Sequence, residues 1–248
     1  MRYMNVFCRC LCVGLVGMVC SSHVSPQSQG TSPAEVIWAK NATALTCQPG
    51  GETIHAPDHL TSARVVCAAG LPFDLQVITA DGRRHEVGLS FGANELLWAP
   101  NSRSFFVNGG QSSSAGFFID VYQFEGSGRA VKVRTITKAA QRNMVASFPP
   151  CKASKIDKKD CATFARYPEY NMSGLGWSDD SSIVYVFAEV PCSSLYGGIM
   201  CQVLGFELSV PAGRILKRLS AQETKKKWAA LAAWEINIPD PPEYGPPI

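Results

Sequence analysis

With 248 residues, 46% of them apolar and 17% charged, the chain can bury a sizeable core and is too hydrophobic for a disordered polymer. Its formal net charge is +3, but setting aside Arg2 and Arg9 of an apparent leader leaves 21 Lys+Arg against 20 Asp+Glu, about +1. A balance so close to neutral excludes a charge-driven partner such as nucleic acid or an anionic membrane.

The chain opens on a short basic start and the apolar run 10-CLCVGLVGMVC-20, followed by the small polar residues 21-SSHVS-25. This reads as a secretory signal peptide over 1–22, too short to span a membrane. The mature protein is expected in the periplasm or outside the cell, with no membrane span. Lipidation on Cys20 is the minor variant, because Val19 is bulkier than such sites use. Residues 23–35, rich in Ser, Pro, Gln and Gly, form a mobile linker with nothing to bury.

Four cysteines fall in the leader, and Cys47, Cys67, Cys151, Cys161, Cys192 and Cys201 remain. An even number in an exported chain favours disulfides. Six cysteines allow 15 connectivities, and pairing of neighbours is the simplest: Cys47–Cys67, Cys151–Cys161 and Cys192–Cys201. Each would close a loop of about 10 to 20 residues, worth on the order of 3 kcal/mol. No C-x₂₋₄-C pair in the mature chain suggests zinc.

From residue 36 to 219 the texture is short apolar or alternating runs broken by Gly, Pro, Asn and Asp. Examples are 63-ARVVCAA-69, 73-FDLQVIT-79, 117-FFIDVYQF-124, 131-VKVRTI-136, 183-IVYVFAEV-190 and 203-VLGFELSV-210. Their β-branched and aromatic content predicts strands. Tight turns are predicted at Asp81-Gly82, Gly126-Ser127-Gly128 and Pro211-Ala212-Gly213.

The runs repeat. Three units begin 55-HAPDHLTSARVVC-67, 98-WAPNSRSFFV-107 and 177-WSDDSSIVYV-186. Each then reads as a polar turn, a strand, a variable loop, a second strand, a tight turn and a third strand. The Pro57 to Pro100 step is 43 residues, the length of a propeller blade. The longer step from Trp98 to Trp177 favours an insertion at 140–173, with a basic, stapled loop around Cys151 and Cys161. The two Trp-led stretches resemble the W-S-P-D-G signature of TolB-like, WD40-like β-propeller repeats, with Trp98, Pro100, Asn101, Trp177, Asp179 and Asp180 at the matching positions. Neither copy keeps the Gly, and the first unit has His55 in place of Trp. The resemblance implies binding and scaffolding in a bacterial envelope, without a transferable catalytic set.

The 220–236 stretch opens with Ser220 and Glu223 at capping-box spacing and sets Trp228, Leu231 and Ala232 on one face, predicting a C-terminal helix of three to four turns. The tail 237–248 is Pro-rich and extended. The expected fold is therefore mainly β: about three propeller-like antiparallel sheet units with one C-terminal helix. Three units leave sheet edges open, to be covered by the helix, a partner or a second copy of the chain.

Chemistry is sparse. His55, Asp58 and His59 could form a hydrolase or metal site, but Pro57 interrupts the helix that would aim both imidazoles at one ion. Asp179 and Asp180 read as turn acids, and no nucleophile elbow, phosphate loop or dinucleotide fingerprint occurs. Asn41-Ala42-Thr43 and Asn171-Met172-Ser173 match the glycosylation sequon, on which nothing is built. Trp98 and Trp177 read as plugs between sheets rather than ligand platforms. No residue is assigned to catalysis, a cofactor or a metal. The expected function is an exported, non-enzymatic binding or scaffold protein for a protein or small ligand. The alternatives are a hydrolase near His55, Asp58 and His59, or a disulfide-braced inhibitor.

Overall fold

Alternation within the apolar runs decides where each strand sits. Ala63 and Val65 are buried while Arg64 and Val66, which alternate with them, are not, so that strand belongs to a sheet with one wet face. Every residue of Ser104–Gly110 is buried, which requires cover on both faces. The computed structural model describes residues 38–47, 53–68, 71–89, 92–110, 116–126, 128–148, 170–191 and 201–236, all within one compact unit. The leader, the linker, Cys151, Cys161, Cys192, the basic loop around them and the Pro-rich tail lie outside the described residues.

Among the described residues, thirteen strands form three antiparallel sheets. The first sheet is β2 (Thr53–His55), β3 (Ser62–Ala68), β4 (Leu71–Ile78) and β5 (Arg84–Gly88). The second joins β1 (Thr43–Ala44) to β6 (Asn94–Trp98), β7 (Ser104–Gly110), β8 (Phe117–Phe124) and β9 (Ala130–Lys132). The third is β10 (Asn171–Trp177), β11 (Ile183–Glu189), β12 (Val203–Ser209) and β13 (Ile215–Leu219). The mainly β character and the three sheet units agree with the sequence. The unit itself has one strand more than expected, because β2, β6 and β10 precede the turn and end on His55, Trp98 and Trp177.

Two cores separate the sheets. Ile54, Val65, Leu75 and Val77 of the first sheet meet Trp98, Phe105, Val107 and Tyr122 of the second. Phe106, Ile119 and Val121 meet Trp177, Val184, Val186 and Phe206 of the third. Each tryptophan thus fills the space toward the preceding sheet: Trp98 shares a core with Ile54, Val65 and Leu75 of the first sheet, and Trp177 stacks on Phe106 of the second at 5.8 Å. Among the described residues no sheet packs ahead of His55, which is exposed. Both tryptophans are buried in cores shared by two sheets, while the matching position of the first unit is the exposed His55.

The turns repeat as closely as the strands. Asp58, Asn101 and Asp180 each accept a backbone N–H two residues on, from Leu60, Arg103 and Ser182. The next residues, His59, Ser102 and Ser181, take left-handed φ values of 58°, 58° and 62°. Left-handed φ at a non-glycine residue therefore recurs at the same turn position in all three units. The outer hairpins are equally regular, with Gly82, Gly128 and Gly213 at φ 79°, 77° and 68°.

Two expectations are corrected. The run 131-VKVRTI-136 is not one strand: β9 stops at Lys132, and α1 (Arg134–Ser147) begins. Ile136, Ala140 and Met144 recur at helical spacing, and all three are fully buried in the core between the second and third sheets. The described residues therefore hold two helices rather than one. The C-terminal helix α2 covers only Ala221–Trp228, not 220–236. Its capping box is present as expected, with Glu223 N–H donating to Ser220 Oγ and Ser220 N–H donating to Glu223. Beyond it the backbone is needed elsewhere. Lys40 N–H donates to Leu231 O at 2.8 Å and Ala233 N–H to Trp38 O at 2.9 Å, bonds that a continuing helix would have taken for itself.

This pairing straps residues 38–40 to 231–233. A buried carboxylate fixes it: Glu95 accepts from Trp38 N–H (3.1 Å), Ala39 N–H (2.7 Å) and Asn108 Nδ2 (2.8 Å). Asn108 also exchanges two bonds with the Gly174 backbone of the third sheet. The Cys47–Cys67 disulfide is formed as the neighbour pairing required. Cys201 is disulfide-bonded too, its expected partner lying outside the described residues.

Candidate functional site

The strap brings together side chains that are distant in sequence. A cavity of about 220 Å³ is lined by Trp38, Phe117, Asn171, Met172, Ser173, Phe187, Glu189 and Trp234. Its floor comes from strand geometry. Phe187 and Glu189 are two apart on β11, so they share a face. Asn171 sits opposite Glu189 in the antiparallel register, and Ser173 opposite Phe187. Its walls come from outside the third sheet: Trp38 from the strap, Phe117 from the start of β8 and Trp234 from the segment after α2.

The rings form two edge-to-face pairs. Trp38 and Phe117 have centroids 5.3 Å apart with planes at 67°, and Phe187 and Trp234 are 5.3 Å apart at 86°. Asn171 is almost fully buried, and most of its capacity is spent. Its Nδ2 donates to Glu189 Oε1 at 2.8 Å, and its Oδ1 accepts from Gly116 and Phe117 N–H, each at 3.1 Å. That geometry rules out Asn171 as an accessible glycan acceptor in the folded chain.

Glu189 is the one charged residue among the described lining residues. Burial pushes its carboxyl above the ordinary range, and the Asn171 hydrogen bond offsets only part of that shift. None of the ion pairs among the described residues involves it. The site is thus a small aromatic chamber with a single acidic function.

The residues singled out from sequence lie elsewhere. Pro100, Asn101, Asp179 and Asp180 belong to the repeated turns. Asp180 accepts from the Ser178 hydroxyl at 2.6 Å and from Ser182, which hold its carboxyl at about 2. Asp58 uses Oδ1 for the Leu60 and Thr61 N–H groups, and His55 and His59 are exposed with their rings 6.4 Å apart. No group of three or more His, Cys, Asp or Glu suited to a metal occurs among the described residues. A second, larger groove of about 450 Å³ includes Asp58, Asp81, Arg83, Asn101, Arg103 and Glu125. It mixes both signs of charge, and Asp81 already pairs with Arg83 at 2.9 Å.

No family model, characterised protein or solved structure matches the chain.

Sequence reasoning passed over the cavity because the one motif among its residues, the Asn171-Met172-Ser173 sequon, points to surface glycosylation and not to a chamber. Trp38, Phe117, Phe187 and Trp234 come from four separate segments, and Glu189 reads as the polar end of an apolar strand. One signal was present: in 183-IVYVFAEV-190 the acidic Glu189 falls on the alternation that carries the aromatic Tyr185 and Phe187. A charge on the buried face of such a strand marks a site or a pairing.

Proposed function

We propose that this chain is an exported, non-enzymatic binding module that takes a small ligand into the Trp38–Phe117–Phe187–Trp234 cavity. The cavity is the observation that carries the reading: it is apolar, concave and furnished with few polar groups, as small-molecule sites are. Among the described lining residues Glu189 is accompanied by the Ser173 hydroxyl but by no His, Lys or Cys that would activate it, which is poor equipment for hydrolysis and good equipment for orientation. Export is supported by the Cys47–Cys67 disulfide, which persists in oxidising compartments, and by the leader-like N-terminus.

The TolB-like resemblance belongs to the same proposal. Antiparallel units of four consecutive strands, an Asx turn at the signature position and a left-handed residue where the Gly would stand all support it. In this reading the sheets are a short run of propeller-like units, ended at the third by α2 and the strap.

The test is a thermal-shift screen of small organic ligands against the mature chain and Ser173→Leu, which adds bulk to the cavity. Ligands that stabilise the native chain and lose their effect in the variant support the reading. An activity on an ester, peptide or glycoside panel that disappears in a His55→Ala, Asp58→Ala, His59→Ala triple variant would replace it with the hydrolase alternative.

A further inference from the structure

We infer that the ligand of this cavity is a small organic cation, of the quaternary or alkylated ammonium class. The inference deepens the binding-module reading and rests on it. Indole and phenyl faces attract a cation through their quadrupoles when it lies within about 6 Å of the ring centroid. Trp38, Phe117, Phe187 and Trp234 surround a space of about 220 Å³. That is below the ~300–1,000 Å³ of pockets for drug-sized ligands, so the occupant is small.

Polarity selects the charge. An anion would meet the Glu189 carboxylate with no described Lys or Arg among the lining residues to offset it. A sugar would ask for several donors and acceptors, yet Asn171 already serves Glu189, Gly116 and Phe117. A cation meets both requirements at once: apolar alkyl groups against the rings and a positive centre beside the carboxylate. The same contact would relieve Glu189, which is largely withdrawn from water without a cationic partner among the described residues.

Choline and its neutral carbon isostere 3,3-dimethylbutan-1-ol separate charge from shape, measured by calorimetric titration of the mature chain and of Glu189→Gln. Choline is expected to bind at least about tenfold more tightly than the isostere, and Glu189→Gln to weaken choline about tenfold while leaving the isostere unchanged. Circular dichroism and melting temperature report whether the variant is folded; should Glu189→Gln unfold, Trp234→Leu takes its place and must weaken choline likewise. Equal binding of the two probes overturns the cation inference and keeps the cavity as a ligand site. Failure of choline to bind the native chain also overturns it, and the binding-module reading then stands or falls on the ligand screen.

Discussion

Ser102 and Ser181 each serve two ends. Their backbone closes a turn at left-handed φ, and their hydroxyls reach across to the preceding unit: Ser102 Oγ accepts from Asp58 N–H and Ser181 Oγ from Asn101 N–H, both at 2.9 Å. His59 has the same φ, but among the described residues no unit precedes it for a side chain to reach. Ser181→Ala is therefore expected to cost about 1–2 kcal/mol by stranding the Asn101 N–H, whereas His59→Ala stays within about 0.5 kcal/mol. Urea unfolding of both variants checks the contrast. Asp180 gives a second residue-scale prediction. Its carboxyl, held at about 2 against an ordinary 3.8, favours the folded state above the unfolded value. That contribution is lost as pH falls through about 2. Asp180→Asn should remove that acid limb, so the stability difference between native chain and variant shrinks on acidification. The repeat of these turns was legible in the sequence as A-P-D-H, A-P-N-S and S-D-D-S. The hydroxyl links between units were not, since a Ser in a polar turn looks the same whether or not a neighbour uses it.

At the scale of elements, α2 shows what the sequence could and could not specify. Ser220 and Glu223 announce the N-terminus locally, but the helix ends where residues 231–233 are recruited by residues 38–40, far away in the chain. No local signal carries that. The docking of α2 rests on Trp228, 1% exposed and 5.6 Å from the Tyr185 ring, and on Gly205 beneath it. A Cβ on Gly205 would lie 2.5 Å from Trp228. Gly205→Ala is expected to cost about 1–3 kcal/mol by overpacking and Trp228→Ala about 3–5 kcal/mol by leaving a hole. The double variant should cost less than the sum, because the indole that clashes with the added methyl group is gone. Additive losses would mean that α2 sits otherwise. The helix α1 was hidden for a different reason. Its first residues continue an alternating run, and only Ile136, Ala140 and Met144 together reveal the change of period.

For the whole molecule, the question is how three stacked sheets avoid open faces. The outer face of the first sheet carries the cross-strand row Thr53, Arg64, Gln76 and Glu86, which water can cover. The outer face of the third buries Leu175, Phe187 and Val203 under Trp228, Ala232 and Ile236. The mainly β class and three units could be read from the sequence because strand and turn signals are local. The ends of the stack could not, because they depend on which residues fold back. The strap is held by Glu95, so Glu95→Leu leaves three donors without their acceptor and should cost at least about 3 kcal/mol, at ~1–3 kcal/mol each. It should also loosen Trp38 and with it the cavity, weakening any ligand found there.

The claim that the cavity is the binding site can be tested on the five tryptophans of the chain. Trp38 and Trp234 line it, while Trp98, Trp177 and Trp228 lie in the sheet and helix cores. Indole N–H signals followed by two-dimensional NMR during a titration with small organic fragments, choline among them, report all five at once. The account predicts that binding shifts Trp38 and Trp234 and leaves the other three in place. Fragments that bind without moving Trp38 or Trp234 would contradict it.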